Sequence, residues 1–385
     1  MKILAVGGGS GGHVTPAVAV LSEIKKTKPD SEIRFWCDRK FFSQAASIIA
    51  NFDADIKVEK IIAGKFRRYH HVSWLRQLTW LSVVLLNIRD AFFALTGYLE
   101  SLVKMMLWRP DVVFTKGGYV CLPVGLAART LNIPLVIHDS DAHPGLTNRI
   151  LGKWATMIAT GAPLEYYNYP LDKARYVGIP VAKEFREFST DEQLKAKEQW
   201  GINPSRPLVV VTGGGLGASR INDAVVLRLD KLLTMCSIVL ISGIWQYDEI
   251  RSLTPENSEN FQLHAFVSKD MASLMGAADI VVARAGATTI LELAALAKPT
   301  ILVPNAKLTG GHQLKNAAVY LKESAVKLVN DEVMVQDPDI LVKAIRELLD
   351  DPKHSQAMGR KLQSFSRPNA ARDVADMIIS AYNKA

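Results

Sequence analysis

Short apolar runs and helix-length amphipathic stretches alternate along the chain. Ile3 to Val6 is an apolar run that enters a glycine-rich turn, Gly7 to Gly12, and the helical pattern Pro16 to Ile24 follows. The order is strand, tight turn, helix. The same unit returns at Pro207 to Leu233, with Leu208 to Val211 as strand, Thr212 to Gly217 as turn and Ala218 to Leu233 as helix. Gly213 therefore lies 206 residues after Gly7. Two similar α/β halves are expected, each opening with its own glycine turn. Between the openings, the runs Val112 to Phe114, Pro134 to Ile137 and Met157 to Ala159 alternate with helical stretches. The second half repeats this with Ser237 to Ile241, Ile280 to Val282 and Thr300 to Val303. Continuously apolar strands separated by helices predict parallel sheets covered on both faces, with ligands beyond the carboxyl ends of the strands. The glycine turns fall at those ends. The polar stretch Lys183 to Arg206 reads as linker plus first helix of the second half. Arg367-Pro368 breaks the chain before a last amphipathic helix, Ala370 to Tyr382.

One segment departs from this rhythm. Lys65 to Arg109 carries Trp74, Trp80 and Trp108 among closely spaced aliphatic and aromatic residues, flanked by Lys65, Arg67 and Arg68. Its longest uncharged stretch, Gln77 to Ile88, has 12 residues before Arg89-Asp90 interrupts it, against about 20 needed to cross a bilayer. Two readings stand: helices buried in the core, or a surface that dips into a membrane interface with basic residues on anionic headgroups. The N-terminal apolar run is too short for a signal peptide, so neither a leader nor a transmembrane helix is expected.

At roughly 150 residues per domain, a chain of 385 residues suggests two domains. A composition 49% hydrophobic and 22% charged excludes disorder, collagen and coiled coil. Lysine and arginine number 46 against 38 acidic residues, a formal charge of +8. That excess favours anionic partners such as phosphates or lipid headgroups, while no interleaved basic and aromatic pattern points to nucleic acid. Cys37, Cys121 and Cys236 lie too far apart for a CxxC metal pair or an obvious disulfide framework, which fits a reducing, cytoplasmic setting.

Several stretches carry candidate chemistry. Gly7-x-Gly9-x-x-Gly12 with Asp38 after the second strand fits a dinucleotide fingerprint, so an NAD-dependent oxidoreductase is one alternative. Against it, His13 stands where a pyrophosphate needs small residues. At a helix N-terminus the macrodipole disfavours the imidazolium, and a neutral histidine beside an anion-binding loop can take a proton from a hydroxyl; otherwise the ring merely packs the turn. In Ala283 to Pro304 a strand ends at Arg284, a small-residue turn presents backbone amides, and Ala287 to Ala297 is the helix behind it. Free amides and the dipole make a seat for a diphosphate without a metal. Glu292 on that helix either accepts hydrogen bonds from ribose hydroxyls or is an ordinary solvated glutamate. Of three Asp-x-Asp strings, Asp53-Ala-Asp55, Asp139-Ser-Asp141 and Asp337-Pro-Asp339, only Asp139-Ser-Asp141 follows a buried strand and precedes a turn. It reads as an acceptor-side loop rather than a metal site.

Gly8 to Pro16, Gly64-Lys-Phe-Arg-Arg-Tyr69, Arg109 to Tyr119, His138-Asp-Ser-Asp141 with Pro144 to Arg149, Arg284-Ala-Gly-Ala-Thr-Thr289 and His312-Gln-Leu-Lys-Asn-Ala317 resemble, in order, the MurG-type transferases of peptidoglycan synthesis. The resemblance implies a GT-B fold: two Rossmann-like doubly wound domains facing a cleft. Residues 1–182 would form an acceptor- and membrane-facing domain, with the C-terminal helix 368–385 crossing back to it, and 183–367 a UDP-sugar domain. It implies transfer of N-acetylglucosamine, with inversion, from its UDP donor to the C4 hydroxyl of undecaprenyl-diphospho-N-acetylmuramoyl-pentapeptide at the cytoplasmic membrane face. No cofactor or metal is implied. His13 and Asp139 would be the catalytic candidates. Ser10, Gly11, Gly12, Gly215, Val267, Ala287, Thr288, Thr289, Glu292, His312 and Gln313 would hold the donor, and Lys116, Asp141 and Asn148 the acceptor. Gly215 stands where members often carry serine, so only its amide can serve. The remaining alternatives are another UDP-sugar transferase or epimerase and a non-catalytic sugar-nucleotide binding protein.

Overall fold

The computed structural model describes residues 1–8, 11–67, 80–214, 217–267, 270–305 and 311–384. They divide into two compact units, Met1–Ala182 with Arg367–Ala385, and Lys183–Ser366.

In the first unit β1 (Lys2–Val6), α1 (Gly11–Thr27), β2 (Glu32–Asp38), α2 (Phe42–Phe52), β3 (Lys57–Ile61), α3 (Leu81–Leu107), β4 (Val112–Thr115), α4 (Cys121–Thr130), β5 (Leu135–Asp139), α5 (Leu146–Leu151), β6 (Met157–Thr160) and β7 (Ala174–Tyr176) follow one another. The strands form a parallel sheet in the order β3-β2-β1-β4-β5-β6-β7. Ile3, Ala5, Phe35, Val112 and Phe114 pack on one face, and Leu4, Val6, Trp36, Val113 and Ile137 on the other. Burial on both faces is why these strands read as continuous apolar runs rather than alternating ones.

The second unit repeats the plan with α6 (Thr190–Gln199), β8 (Leu208–Thr212), α7 (Ser219–Leu227), α8 (Leu229–Leu233), β9 (Ser237–Ile241), α9 (Tyr247–Leu253), β10 (Phe261–His264), α10 (Met271–Ala277), β11 (Ile280–Ala283), α11 (Ala287–Ala295), β12 (Thr300–Leu302), α12 (His312–Lys322), β13 (Lys327–Leu328), α13 (Asp331–Gln336), α14 (Asp339–Asp350) and α15 (Pro352–Gln363). Its sheet runs β10-β9-β8-β11-β12-β13, again parallel. Both sheets reverse direction beside their first strand, the doubly wound order whose crevice at the reversal receives ligands. The final helix, α16 (Ala370–Asn383), returns to the first unit. There Val374, Ala375, Met377, Ile378 and Ala381 join the core beside α1.

Two elements differ from the sequence pattern. The expected helix Ala218 to Leu233 is broken at Arg228, which leaves helical geometry (φ −126°, ψ 15°) while its guanidinium reaches Asp339 at 2.9 Å. Conversely, Arg89-Asp90 does not interrupt the apolar segment. The α3 helix runs through both charges for 27 residues because Asp90 turns inward, 3% exposed, and accepts hydrogen bonds from Arg67 and Arg89. By length and composition α3 is apolar enough to cross a membrane. One face, with Val83, Gly97, Ser101 and Met105, is buried on the first unit. The other carries Leu81, Leu85, Ile88, Phe92, Leu95, Leu99, Val103 and Met106, each 52–69% exposed. At 3.6 residues per turn these eight fall within roughly 80° of arc, an unbroken outward stripe. The chain after β3 lies directly on the inner face: a Cβ on Gly97 would come within 1.8 Å of the Ile62 carbonyl oxygen, and one on Gly64 within 1.7 Å of that of Asp90.

Candidate active site

In the first unit the loops after β1 and β4 meet at the sheet reversal. His13, the third residue of α1, has Nδ1 3.3 Å from the Lys116 carbonyl oxygen. A carbonyl only accepts, so Nδ1 carries the proton and Nε2 keeps its lone pair. Gly117 and Gly118, at φ +98° and +92°, close the loop against this ring. A Cβ on Gly117 would make ordinary contact 3.7 Å from His13 Cε1, and one on Gly118 would lie 2.6 Å from the Gly8 carbonyl oxygen, so a side chain is disfavoured by conformation at both and by space as well at Gly118. Burial, then the positive charge of Lys116, lowers the His13 pKa to about 4, with Asp141 and Asp38 opposing. The neutral ring anticipated at the helix start thus has burial as its main cause.

Lys116 is buried and donates to His138 Nδ1 at 3.1 Å and to the Ser140 hydroxyl. His138 Nε2 lies 2.8 Å from the Gly178 carbonyl oxygen, so Nε2 holds the proton and Nδ1 receives Lys116. Desolvation draws the Lys116 pKa down to about 8, with Asp139 and Asp141 opposing. Asn148 donates to the His138 carbonyl at 3.3 Å. Asp139 is not beside His13 as a free carboxylate. It is 3% exposed and accepts from Tyr169 at 2.8 Å and from Asn148, and burial raises its pKa to about 7. The first of the two carboxylates to act on the His13 charge is that of Asp141. Asp38 is spent on its own turn, accepting from the Lys40 and Phe41 amides at 3.0 and 3.4 Å and from the Tyr119 hydroxyl. That removes the ribose carboxylate the dinucleotide reading needs. Asp53 pairs with Lys25, and Asp339 with Arg228 and Lys231, so these Asp-x-Asp strings close surface turns.

In the second unit the corresponding loops follow β8 and β11. Gly213 has no room for a side chain, with Ala218 N only 2.2 Å from its Cβ position, and Gly214 and Gly217 adopt φ of +78° and +75°. The α11 helix starts at Ala287 behind Gly286, with no side chain capping its first turn. Among the described residues the amides of Ala287, Thr288 and Thr289 therefore have no side-chain partner, at the positive end of the dipole. Three groups hold this turn from below. Arg284 donates to Asp331 at 2.6 Å and to the Val303 carbonyl at 2.9 Å, Arg220 donates to the same buried Asp331, and Asn316 donates to the Ala285 carbonyl at 3.2 Å. Gln313 accepts from the Asn305 amide at 2.8 Å, so the α12 helix ties two strand-end loops together, and His312 stands at its start. Glu292 is partly exposed on α11 with no hydrogen-bond partner among the described residues, and desolvation raises its pKa to about 7. Val267, just after β10, is buried. Gly11 and Gly12 open α1, whereas Ser10 and Gly215 lie outside the described residues. His138, Ser140, Tyr169, Asn316 and Asp331 had no role assigned from sequence. The first two sit inside the quoted His138 to Asp141 string, and Asn316 inside His312 to Ala317, so only their contacts were hidden.

Residues 3–160 match the family model for the glycosyltransferase family 28 N-terminal domain, and residues 208–374 that for its C-terminal domain. A UDP-N-acetylglucosamine–N-acetylmuramyl-(pentapeptide) pyrophosphoryl-undecaprenol N-acetylglucosamine transferase of an Exiguobacterium species is 32% identical, over 98% of this chain and 99% of its own. The transferase of that name from Acetivibrio thermocellus is also 32% identical, over 98% and 97%. Among solved structures, MurG of Acinetobacter baumannii superposes with a TM-score of 0.72 at 23% identity, covering 98% of this chain and 99% of that one. The UDP-GlcNAc 2-epimerase of Neisseria meningitidis superposes at 0.68 and 16%, covering 99% and 100%. The fold is thus that of the GT-B glycosyltransferases, and the chain belongs to glycosyltransferase family 28, among the N-acetylglucosaminyltransferases of the MurG type.

Proposed function

We propose that the protein transfers N-acetylglucosamine from UDP-N-acetylglucosamine to the C4 hydroxyl of undecaprenyl-diphospho-N-acetylmuramoyl-pentapeptide, with inversion, in cell-wall synthesis. The observation that carries this reading is His13: a neutral imidazole whose Nδ1 proton is committed to the Lys116 carbonyl, leaving Nε2 as the base. In this mechanism Nε2 takes the hydroxyl proton as the oxygen attacks the anomeric carbon, and UDP departs. The diphosphate is seated by the amides at the start of α11. Charge stabilisation by fixed dipoles replaces acid catalysis at the leaving group, so no cofactor or metal is required. Val267 reads the uracil through its backbone, Glu292 the ribose, and His312 and Gln313 the sugar hydroxyls, with Gly215 offering its amide. On the acceptor side, Asp141, Asn148 and Lys116 receive the muramoyl group. Asp139 serves by orienting Tyr169 and Asn148. In this scheme the first unit handles the acceptor and the second the donor.

The outward stripe of α3 supports peripheral attachment to an anionic membrane, at the cytoplasmic face where such an acceptor is exposed. A helix apolar on two opposite faces, one packed on its own domain, lies in an interface more readily than it spans one. The deciding experiment is turnover of UDP-N-acetylglucosamine with a short-chain, water-soluble lipid-linked muramoyl acceptor. UDP release that depends on the acceptor, with a β-linked disaccharide as product, is the expected result. Binding without turnover would leave a sugar-nucleotide binding protein.

A further inference from the structure

Beside the base, the first unit buries a polar atom that its own fold does not satisfy. Asn148, on α5, is 5% exposed, and its Oδ1 has no hydrogen-bond partner among the described residues. The Nδ2 of the same amide is committed twice, donating to the His138 carbonyl at 3.3 Å and to the Asp139 carboxyl. A carbonyl only accepts, and a carboxyl keeps an accepting oxygen in either protonation state, so the amide has one orientation and Oδ1 is the atom left over. The Cβ position of Gly117 lies 3.5 Å from Asn148 Nδ2 and 3.7 Å from His13 Cε1; amide and imidazole flank the same glycine. A buried acceptor without its donor is costly, and a ligand hydroxyl placed next to His13 would remove that cost.

Asp139 is itself held from one side. Tyr169, in the connection between β6 and β7, donates to Asp139 Oδ2 at 2.8 Å. Its ring is stacked on that of Tyr167, with centroids 5.7 Å apart, and presses on the end of α5 so closely that a Cβ on Gly152 would come within 2.7 Å of its Cε1. Tyr167 donates to the Asp141 carbonyl at 2.7 Å, so the ring pair braces both ends of Asp139-Ser-Asp141.

We propose that Tyr169 is a positioning residue for the acceptor sugar: through Asp139 it holds Asn148 with Oδ1 set to accept the hydroxyl nearest the reacting one. The proposal rests on the reading of the first unit as the acceptor side. A muramoyl sugar joined to diphosphate at C1 and to its peptide through an ether at C3 keeps free hydroxyls at C4 and C6. With the C4 hydroxyl at His13, the group received by Asn148 is the C6 hydroxyl.

The test uses the full chain, the water-soluble lipid-linked muramoyl acceptor and its 6-deoxy analogue. Tyr169→Phe keeps the stacked ring and removes only the donor. Its kcat/KM for the acceptor should fall about tenfold, the size of one buried hydrogen bond, while the KM for UDP-N-acetylglucosamine is unchanged. The 6-deoxy acceptor should lose a similar factor with the wild-type chain, a measurement that does not depend on any variant folding. In an Asn148→Ala background both losses should vanish, because groups that act as one unit give non-additive cycles. A tyrosine that merely stiffened the loop would cost the same in either background. Additive losses for Tyr169→Phe and Asn148→Ala, or a 6-deoxy acceptor used as well as its parent, overturn the proposal and leave the proposed function standing. A wild-type chain that releases no UDP with the parent acceptor overturns that function, and this inference with it.

Discussion

His13 shows how one side chain is prepared by its surroundings. Because burial is the largest influence on it and the Lys116 charge the second, the ring stays unprotonated well into acid, and with His13 as the proposed base kcat/KM should fall on its acid limb only as the pH approaches about 4. Lys116→Met removes the second influence, and the limb should move toward neutrality in a pH–rate profile; an unmoved limb would detach Lys116 from the base. The sign for stability follows the same shift. Between about 4 and the ordinary histidine value of 6.5 the unfolded chain binds a proton the native state refuses, so His13 costs stability as pH falls through that window. His13→Ala should lower kcat by about 10²–10⁴ with UDP-N-acetylglucosamine affinity little changed, the usual worth of a general base. Glu292 is shifted the other way, up to about 7 by burial. If its carboxylate accepts from ribose, UDP-N-acetylglucosamine affinity should rise between pH 6 and 8, and Glu292→Gln should flatten that rise in calorimetry. The nucleotide sugar, a diphosphate diester, does not itself titrate there. The neutral state of the His13 ring was legible in part, because a histidine at a helix start sits at the positive end of the dipole, although burial is the larger cause. Its hydrogen-bond partner was not, because Lys116 lies 103 residues away and only the β1–β4 pairing brings it near.

At the scale of the element, the strands were the easy part. Runs such as Leu208 to Val211 are buried on both sides and leave no alternation to misread. The α3 helix was harder: two adjacent charges in sequence look like an end, and only the inward turn of Asp90 onto Arg67 keeps the helix going. Its inner face is held at backbone contact by glycine, so Gly97→Ala must push the Ile62 carbonyl away. It should destabilise the first unit by about 1–3 kcal/mol, as overpacking does, readable as a lower thermal midpoint. The outer face predicts the opposite. Leu85→Ser with Phe92→Ser touches no buried contact and should leave the midpoint within a few degrees, since exposed substitutions usually stay within about 0.5 kcal/mol. Sedimentation with anionic vesicles should fall sharply in the same variant. Retained vesicle binding would return α3 to an ordinary surface helix.

For the whole molecule, the 206-residue offset between glycine turns announced two copies of one plan, and both sheets do carry the 3-2-1-4 reversal beside their first strand. Pattern alone was silent on how each copy braces its loop. The first uses Lys116 and His138, and the second uses Arg284, Asp331 and Asn316, pairs 22 to 47 residues apart. The chain also does not divide at a single point, because α16 completes the core of the unit in which the chain began. Deleting residues 368–385 should therefore melt the first unit and spare the second. In calorimetry one transition should survive, and two unchanged transitions would refute the assignment.

That last helix sets an order of events on the ribosome. At roughly 5–20 residues per second, the segment that fills the gap beside α1 emerges about 10–40 s after residue 182 has been made. During that interval the earlier half of the polypeptide waits with a greasy trench open, while the later half is already free to fold. A nascent-chain chaperone should accordingly dwell on the amino-terminal portion until that helix has emerged, and the first unit closes only when it docks.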